Sequence, residues 1–258
     1  MVYTFHQGTT PVLVSVPHAG LDVPDDIKAR LSDEGLRLAD TDWHVDRLYA
    51  PLKTLGVSML VATNSRYVID LNRPSDGSSL YPGQMVTQLC PTETFEGKKI
   101  YKGDEEPSAT EIAERTTKYW QPYHRKLAKT LATLKEKHGH AILWDAHSIN
   151  NRLPRLFDGQ LPDLNFGTND GKACDEELAG NILSIAKAYT RYTSILNGRF
   201  KGGVITRTYG QPSEGINAIQ LEMAQACYMD QETFEWDDGK ASEVQELLEK
   251  LVNPLAKA

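Results

Sequence analysis

Apolar positions along this chain follow two rhythms. Short, nearly unbroken runs at residues 12–16 (VLVSV), 57–62 (VSMLVA), 67–71 (YVIDL), 141–148 (AILWDAHS) and 218–222 (AIQLE) are brief and bounded by Gly, Pro or polar residues, which predicts buried strands. Residues 193–196 and 204–206 read as further strand candidates. Elsewhere apolar residues recur at three- and four-residue spacing. Val45, Leu48, Tyr49, Leu52 and Leu55 predict a helix from about Asp40 to Leu55, stopped by Gly56. Leu178, Ile182, Ile185, Ala186 and Tyr189 predict a second, and an amphipathic helix is expected over residues 238–251. A short helical segment is expected after Asp22-Val23-Pro24, reaching about Leu31. A longer helix starts at Pro107, with Glu111 and Glu114 early and Lys135 and Lys137 late, as the helix dipole favours; Pro122 predicts a kink or break near Trp120 and Gln121. Residues from about 75 to 106 carry Gly77, Pro82, Gly83, Pro91, Gly97 and Gly103 and read as a long loop, and residues 149–168 read as loop again. The alternation of strands with helices predicts an α/β fold, a three-layer sandwich around a mixed, mostly parallel sheet, with residues 1–258 as a single domain.

Several strands end on residues that can do chemistry. Residues 141–148 run into Asp145-Ala146-His147-Ser148, and ligands of open α/β sheets collect beyond the carboxyl ends of the strands. A single histidine there can be a hydrogen-bonded structural residue, but residues 12–16 also end in Pro17-His18-Ala19-Gly20. Two imidazoles at two strand ends suit a metal, zinc above all, whose catalytic sites take three protein ligands and keep a position for water. Asp42, in the first turn of the expected 40–55 helix, has two readings, an N-cap or the third ligand. Arg66, Asn72 and Arg73 flank the 67–71 run and read as anion receptors, because a guanidinium binds a carboxylate through paired hydrogen bonds and an adjacent Asn adds a donor. Glu222 closes an apolar run, where burial raises a carboxyl pKa toward what a general base near neutral pH requires. His124 lies within a predicted helix and reads as a packed residue. The loop at residues 197–203 lacks the Gly-Lys-Ser/Thr ending of a phosphate-binding loop.

Charge narrows the partners. A net charge of −7 argues against a nucleic-acid or anionic-membrane surface and leaves a small molecule as the expected partner. No run approaches a membrane span, and the first residues lack the basic and apolar regions of a signal peptide, so a soluble cytoplasmic protein is expected. Cys90, Cys174 and Cys227 are far apart and fit reduced thiols.

Val16-Pro17-His18-Ala19-Gly20, Asp40-Thr41-Asp42-Trp43-His44-Val45-Asp46, Ser65-Arg66-Tyr67, Asp70-Leu71-Asn72-Arg73-Pro74, Asp145-Ala146-His147-Ser148, Pro162-Asp163 with Gly167-Thr168, and Gln220-Leu221-Glu222 together resemble the N-formylglutamate amidohydrolase family. The matching order spans residue 12 to about 230. The resemblance implies a fold related to the zinc carboxypeptidases and aspartoacylase, and hydrolysis of N-formyl-L-glutamate, a dicarboxylate of histidine breakdown, to formate and L-glutamate. It implies His18, Asp42 and His147 as zinc ligands and Glu222 as base. The family's Asn-Arg pair for a substrate carboxylate falls on Asn72 and Arg73, with Arg66 and Arg155 as further substrate-binding candidates. His18 lacks the His-x-x-Glu carboxylate of the carboxypeptidases, so the third ligand comes from elsewhere, Asp42 or its rival Asp46. Two other readings stay open: an amidase of the same fold for another N-acyl amino acid, aspartoacylase- or desuccinylase-like, and a non-catalytic small-anion binding protein.

Overall fold

The run beginning at Ala141 is apolar on both sides because it lies in the middle of a sheet, buried over its whole length. The computed structural model describes residues 1–78 and 87–257. In chain order the elements are β1 (Tyr3–His6), β2 (Val12–Val16), α1 (Asp25–Lys28), α2 (Asp33–Leu36), α3 (Val45–Tyr49), β3 (Ser58–Ala62), α4 (Ala109–Arg115), α5 (Gln121–His138), β4 (Ala141–Ile149), β5 (Leu164–Gly167), α6 (Glu176–Ala188), β6 (Ser194–Leu196), α7 (Val204–Tyr209), β7 (Ile216–Ala224) and α8 (Asp238–Ala256). Among the described residues, seven strands form one sheet in the order β1-β3-β2-β4-β7-β5-β6. The pairs β2–β3, β2–β4, β4–β7 and β5–β6 are parallel, and β1–β3 and β5–β7 are antiparallel. The sheet is therefore mixed and mostly parallel.

Strand alternation sorts the core into two layers. Val12, Val14, Val16, Ile142, Trp144 and Ala146 pack against α3, α6 and α8 through residues such as Leu48, Ile182 and Leu248. Leu13, Ala141 and Leu143 face the other way, against Tyr123, Leu127, Leu131 and Leu134 of α5. Among the described residues, no helix is long and apolar enough to cross a membrane.

Several local expectations are corrected. Residues 67–71 are not a strand: the run is folded into turns, with Ser65 Oγ accepting from the Tyr67 amide and Asp70 Oδ1 from the Asn72 amide, so side chains satisfy backbone groups that a strand would pair in a ladder. Residues 204–206 open α7 rather than a strand, because Gly203 releases the chain into a helix whose second amide, Ile205, is satisfied by Asn72 Oδ1 at 2.8 Å. The helix expected over 40–55 begins only at Val45, and Pro51, which has no amide proton, lies in the 3₁₀ turn Ala50–Leu55 that ends at Gly56 in a left-handed conformation (φ 78°). The helix expected from Pro107 starts at Ala109, capped by Ser108, and the expected break near Trp120 is a π-helical turn, Thr116–Trp120, that carries the chain from α4 into α5. Strands β1 and β5 and helix α2 occur where none was expected. Of the long loop read over residues 75–106, residues 79–86 lie outside the described residues.

Candidate active site

The sheet's connectivity creates the site. From β2 the chain moves to β3 on one side, then returns across β2 to place β4 on its other side. Such a reversal leaves a crevice beyond the carboxyl ends of the two diverging strands, where no crossover covers the rim. His18 lies two residues past the end of β2, and His147 lies near the end of β4. On the next strand, Glu222 pairs in register with His147. A cavity of about 210 Å³ at this rim is lined by His18, Asp42, Arg66, Asn72, Arg73, His147, Arg199, Gln220 and Glu222, among others.

Asp42 reaches the crevice from the turn before α3. Its amide donates to the His18 carbonyl at 3.1 Å, which ties that turn to the loop after β2. The N-cap of α3 is His44, in a left-handed conformation (φ 62°) with Nε2 2.8 Å from the Phe234 carbonyl oxygen, so the Asp42 side chain does not cap the helix. Its carboxylate meets the imidazoles instead. Oδ2 is 3.1 Å from His147 Nδ1 and 3.7 Å from His18 Nδ1, and one ligand atom from each of the three residues falls within 4.8 Å of the others. Asp46 is exposed on α3 and takes no part in this group.

The far nitrogen of each ring is held by a carboxylate. His18 Nε2 is 2.8 Å from Asp70 Oδ1, and His147 Nε2 is 3.2 Å from Asp145 Oδ2 and 3.1 Å from Asn72 Nδ2. A proton on His18 Nε2, donated to Asp70, leaves a lone pair on Nδ1, and that atom is buried without a hydrogen-bond partner. An unpartnered, buried nitrogen aimed at a carboxylate and a second imidazole is what a metal ligand set of two nitrogens and one oxygen requires.

Electrostatics follow from burial and pairing. Burial opposes the charge of Asp42, yet its hydrogen bond with His147 and the nearness of both imidazoles hold its carboxyl well below the usual range. Burial opposes Asp70 in the same way and is outweighed by Arg66, Arg73 and His18. His147 lies between Asp145 and Asp42, which raise its pKa well above the ordinary value despite burial. Glu222 is the contrast: burial pushes its carboxyl up to about 8, with His147 opposing. Gln220 Nε2 donates to Glu222 Oε2 at 3.3 Å, and Gln220 Oε1 accepts from the Gly203 amide at 2.8 Å.

The expected anion receptors separate into three situations. Arg66 is buried and committed, with its guanidinium 2.6 Å from Asp70 Oδ2, 3.6 Å from Asp42 Oδ1 and over the Phe95 ring. Arg73 is one-quarter exposed, lines the cavity, and bonds to the Thr87 carbonyl and hydroxyl while lying 3.8 Å from Asp70. Arg155 is drawn away: it pairs with Glu93 and the Thr94 carbonyl and lines a neighbouring cavity instead. Arg199 lines the cavity, one of its donors bonded to the Leu156 carbonyl at 3.1 Å. The sequence left Asp70, Asp145, Gln220 and Arg199 without a role. The signal for two of them was local, since Asp145 and Gln220 lie two residues before His147 and Glu222 and share their strand faces. Asp70 meets His18 across 52 positions and had no local signal.

Known proteins place the chain in context. Residues 10–229 match the model of the N-formylglutamate amidohydrolase family. N-formylglutamate deformylase of Pseudomonas aeruginosa is 46% identical, covering 97% of this chain and 96% of its own length, and that of Pseudomonas putida is 46% identical, covering 98% and 95%. The crystal structure of an N-formylglutamate amidohydrolase from Ralstonia eutropha JMP134 superposes with a TM-score of 0.85 at 25% identity over 99% of this chain and 97% of its own. A gene product of Agrobacterium tumefaciens shares the fold at a TM-score of 0.75 and 16% identity, covering 99% of this chain and 95% of its own. With a family match over most of its length and relatives similar from end to end, the chain belongs to the N-formylglutamate amidohydrolase family.

Proposed function

We propose that this protein is a zinc-dependent amidohydrolase that cleaves the N-formyl amide of N-formyl-L-glutamate, releasing formate and L-glutamate. The substrate is inferred from the relatives named N-formylglutamate deformylase, 46% identical over nearly the whole chain. The observation that carries the hydrolytic reading is the buried, unpartnered His18 Nδ1, grouped with Asp42 and His147 on a cavity wall that also presents Glu222. In this reading His18, Asp42 and His147 hold the metal. Zinc, when bound, supplies polarisation of the formyl carbonyl and a water acidified for attack. Glu222 takes a proton from the attacking water and returns it to the amide nitrogen as the C–N bond breaks, so glutamate leaves as an amine. Gln220 aims the Glu222 carboxylate. Arg73 and Asn72 receive a substrate carboxylate, and Arg66, braced by Asp70, lends positive charge beside Asp42. Arg155, engaged with Glu93 beside a neighbouring cavity, is given no contact with the substrate in this reading.

The same reading treats the chain as one domain with a zinc-carboxypeptidase-like sheet, serving histidine breakdown in the cytoplasm. What supports it is the open, mostly parallel sheet with its candidate site at the carboxyl rim, and an acidic chain suited to neither nucleic acid nor an anionic membrane. The test is metal analysis of purified protein coupled to assays of formyl-, acetyl- and succinyl-amino acids. The expected result is stoichiometric zinc and formate release that a chelator abolishes and added zinc restores. Preferential release of acetate or succinate reassigns the acyl group. Glutamate binding without turnover of any substrate establishes the anion-binding alternative.

A further inference from the structure

The π-helical turn Thr116–Trp120 has no part in the chemistry above, yet such turns concentrate where a helix serves a functional site. Trp120 ends it, and His124 follows one α-helical turn later on the same face. Their rings stack with centroids 3.5 Å apart and planes 11° from parallel. Trp120 Nε1 donates to the Arg73 carbonyl at 3.0 Å, and His124 Nε2 lies 2.8 Å from the Leu71 carbonyl oxygen. An indole N–H only donates and a carbonyl only accepts, so His124 carries its proton on Nε2. The Tyr209 hydroxyl closes the other side of the ring, 3.0 Å from His124 Nδ1 and 3.1 Å from the His124 carbonyl oxygen.

One helix thus grips the carbonyls of the residues before and after Asn72. Asn72 is anchored separately: its amide donates to Asp70 Oδ1 at 2.8 Å and its Oδ1 accepts from the Ile205 amide at 2.8 Å, which leaves Nδ2 beside His147. Those bonds hold the near side of the turn. The far side, from which the Arg73 side chain enters the cavity, is held at its carbonyl by Trp120.

We propose that Trp120 and His124 are positioning residues for Asn72 and Arg73, setting the backbone from which that pair meets a carboxylate of the substrate. The inference rests on the functional reading above, in which the pair receives that carboxylate. Without the two donors the Leu71–Arg73 carbonyls turn toward other partners, and the cost falls on substrate binding rather than on bond cleavage.

The test uses the zinc-loaded full chain with Trp120→Phe, His124→Phe and His124→Gln. The first two keep a ring in the stack and lose the donor; the third keeps a donor amide. Calorimetric binding of L-glutamate is read beside KM and kcat for N-formyl-L-glutamate, metal content and melting temperature. Loss of one hydrogen bond predicts that Trp120→Phe and His124→Phe each weaken glutamate binding and raise KM by roughly fivefold to twentyfold. Metal content should match wild type, kcat should stay within about twofold, and His124→Gln should recover most of the loss. A fall in kcat with KM and glutamate affinity unchanged, or a change in melting temperature alone, overturns the proposal. Wild-type protein that neither releases formate nor binds glutamate overturns the functional reading and removes this inference with it. Active wild type with variants that match it overturns this inference alone.

Discussion

Glu222 and His147 are register partners on adjacent parallel strands, so a small shift of either strand moves the base and the imidazole together. Glu222→Gln keeps shape and removes the proton acceptor. It should lower kcat by on the order of 10²–10⁴ while zinc content and KM stay near wild type, and unchanged turnover would exclude Glu222 as the base. Asp70 carries more than its ring contact suggests, because it holds His18 Nε2 and compensates Arg66 and Arg73 in full burial. Asp70→Asn leaves the Arg66 guanidinium buried beside a neutral amide. The expected cost is about 3–5 kcal/mol in urea-unfolding free energy, with zinc affinity in a competition titration weaker by roughly 10- to 100-fold. A variant as stable as wild type would mean that Asp42 alone compensates Arg66. His18, His147 and Glu222 were legible from the chain because each sits at the end of an apolar run. Asp42 was legible only as an alternative, since a carboxylate in a first helical turn serves equally as a cap until the fold shows which atoms it meets.

The apolar runs that became strands are those whose backbone finds a ladder partner. Residues 67–71 have comparable β-propensity but lie where Ser65 and Asp70 side chains bond the local amides, and they fold into turns under α5. Residues 204–206 show the reverse case, a β-branched run made helical by what surrounds its first turn. Gly203 is central there: a Cβ on it would lie 2.3–2.6 Å from the Asn72 side-chain amide. Gly203→Ala should therefore displace Asn72 from the start of α7 and lower kcat/KM for N-formyl-L-glutamate at least about tenfold, with a stability loss of only about 1–3 kcal/mol. Activity equal to wild type would show that Asn72 yields without consequence. The π turn was foreshadowed by Pro122, whose missing amide proton predicts a disturbance one turn upstream; that the disturbance would aim Trp120 and His124 at the Leu71–Arg73 segment depends on where that segment lies.

Linkage between protons and folding joins these parts across the molecule. His124 is buried and neutral, and burial lowers its pKa to about 4 against the Leu71 carbonyl and Asp145, which favour the charged form. An unfolded chain takes up this proton near pH 6.5, so the contribution is full above that pH and is lost as pH falls toward about 4. Asp40, whose carboxyl burial pushes up to about 6, acts in the opposite sense over the same window, so the quantity to read is the difference between wild type and His124→Gln. Denaturant titrations at about pH 7 and about pH 4.5 should show wild type losing on the order of 2 kcal/mol relative to the variant. A difference that stays constant with pH would place the His124 proton elsewhere. Periodicity along the chain was enough to read an α/β sandwich, its principal helices and the strand ends that carry imidazole and carboxylate, because those signals arise from neighbours within one or two turns. Strand order, the reversal beside β2 that opens the crevice, the pairing of His18 with Asp70, and the removal of Arg155 to Glu93 depend on contacts between residues tens of positions apart, and no local pattern encodes which of several possible partners a buried charge will meet.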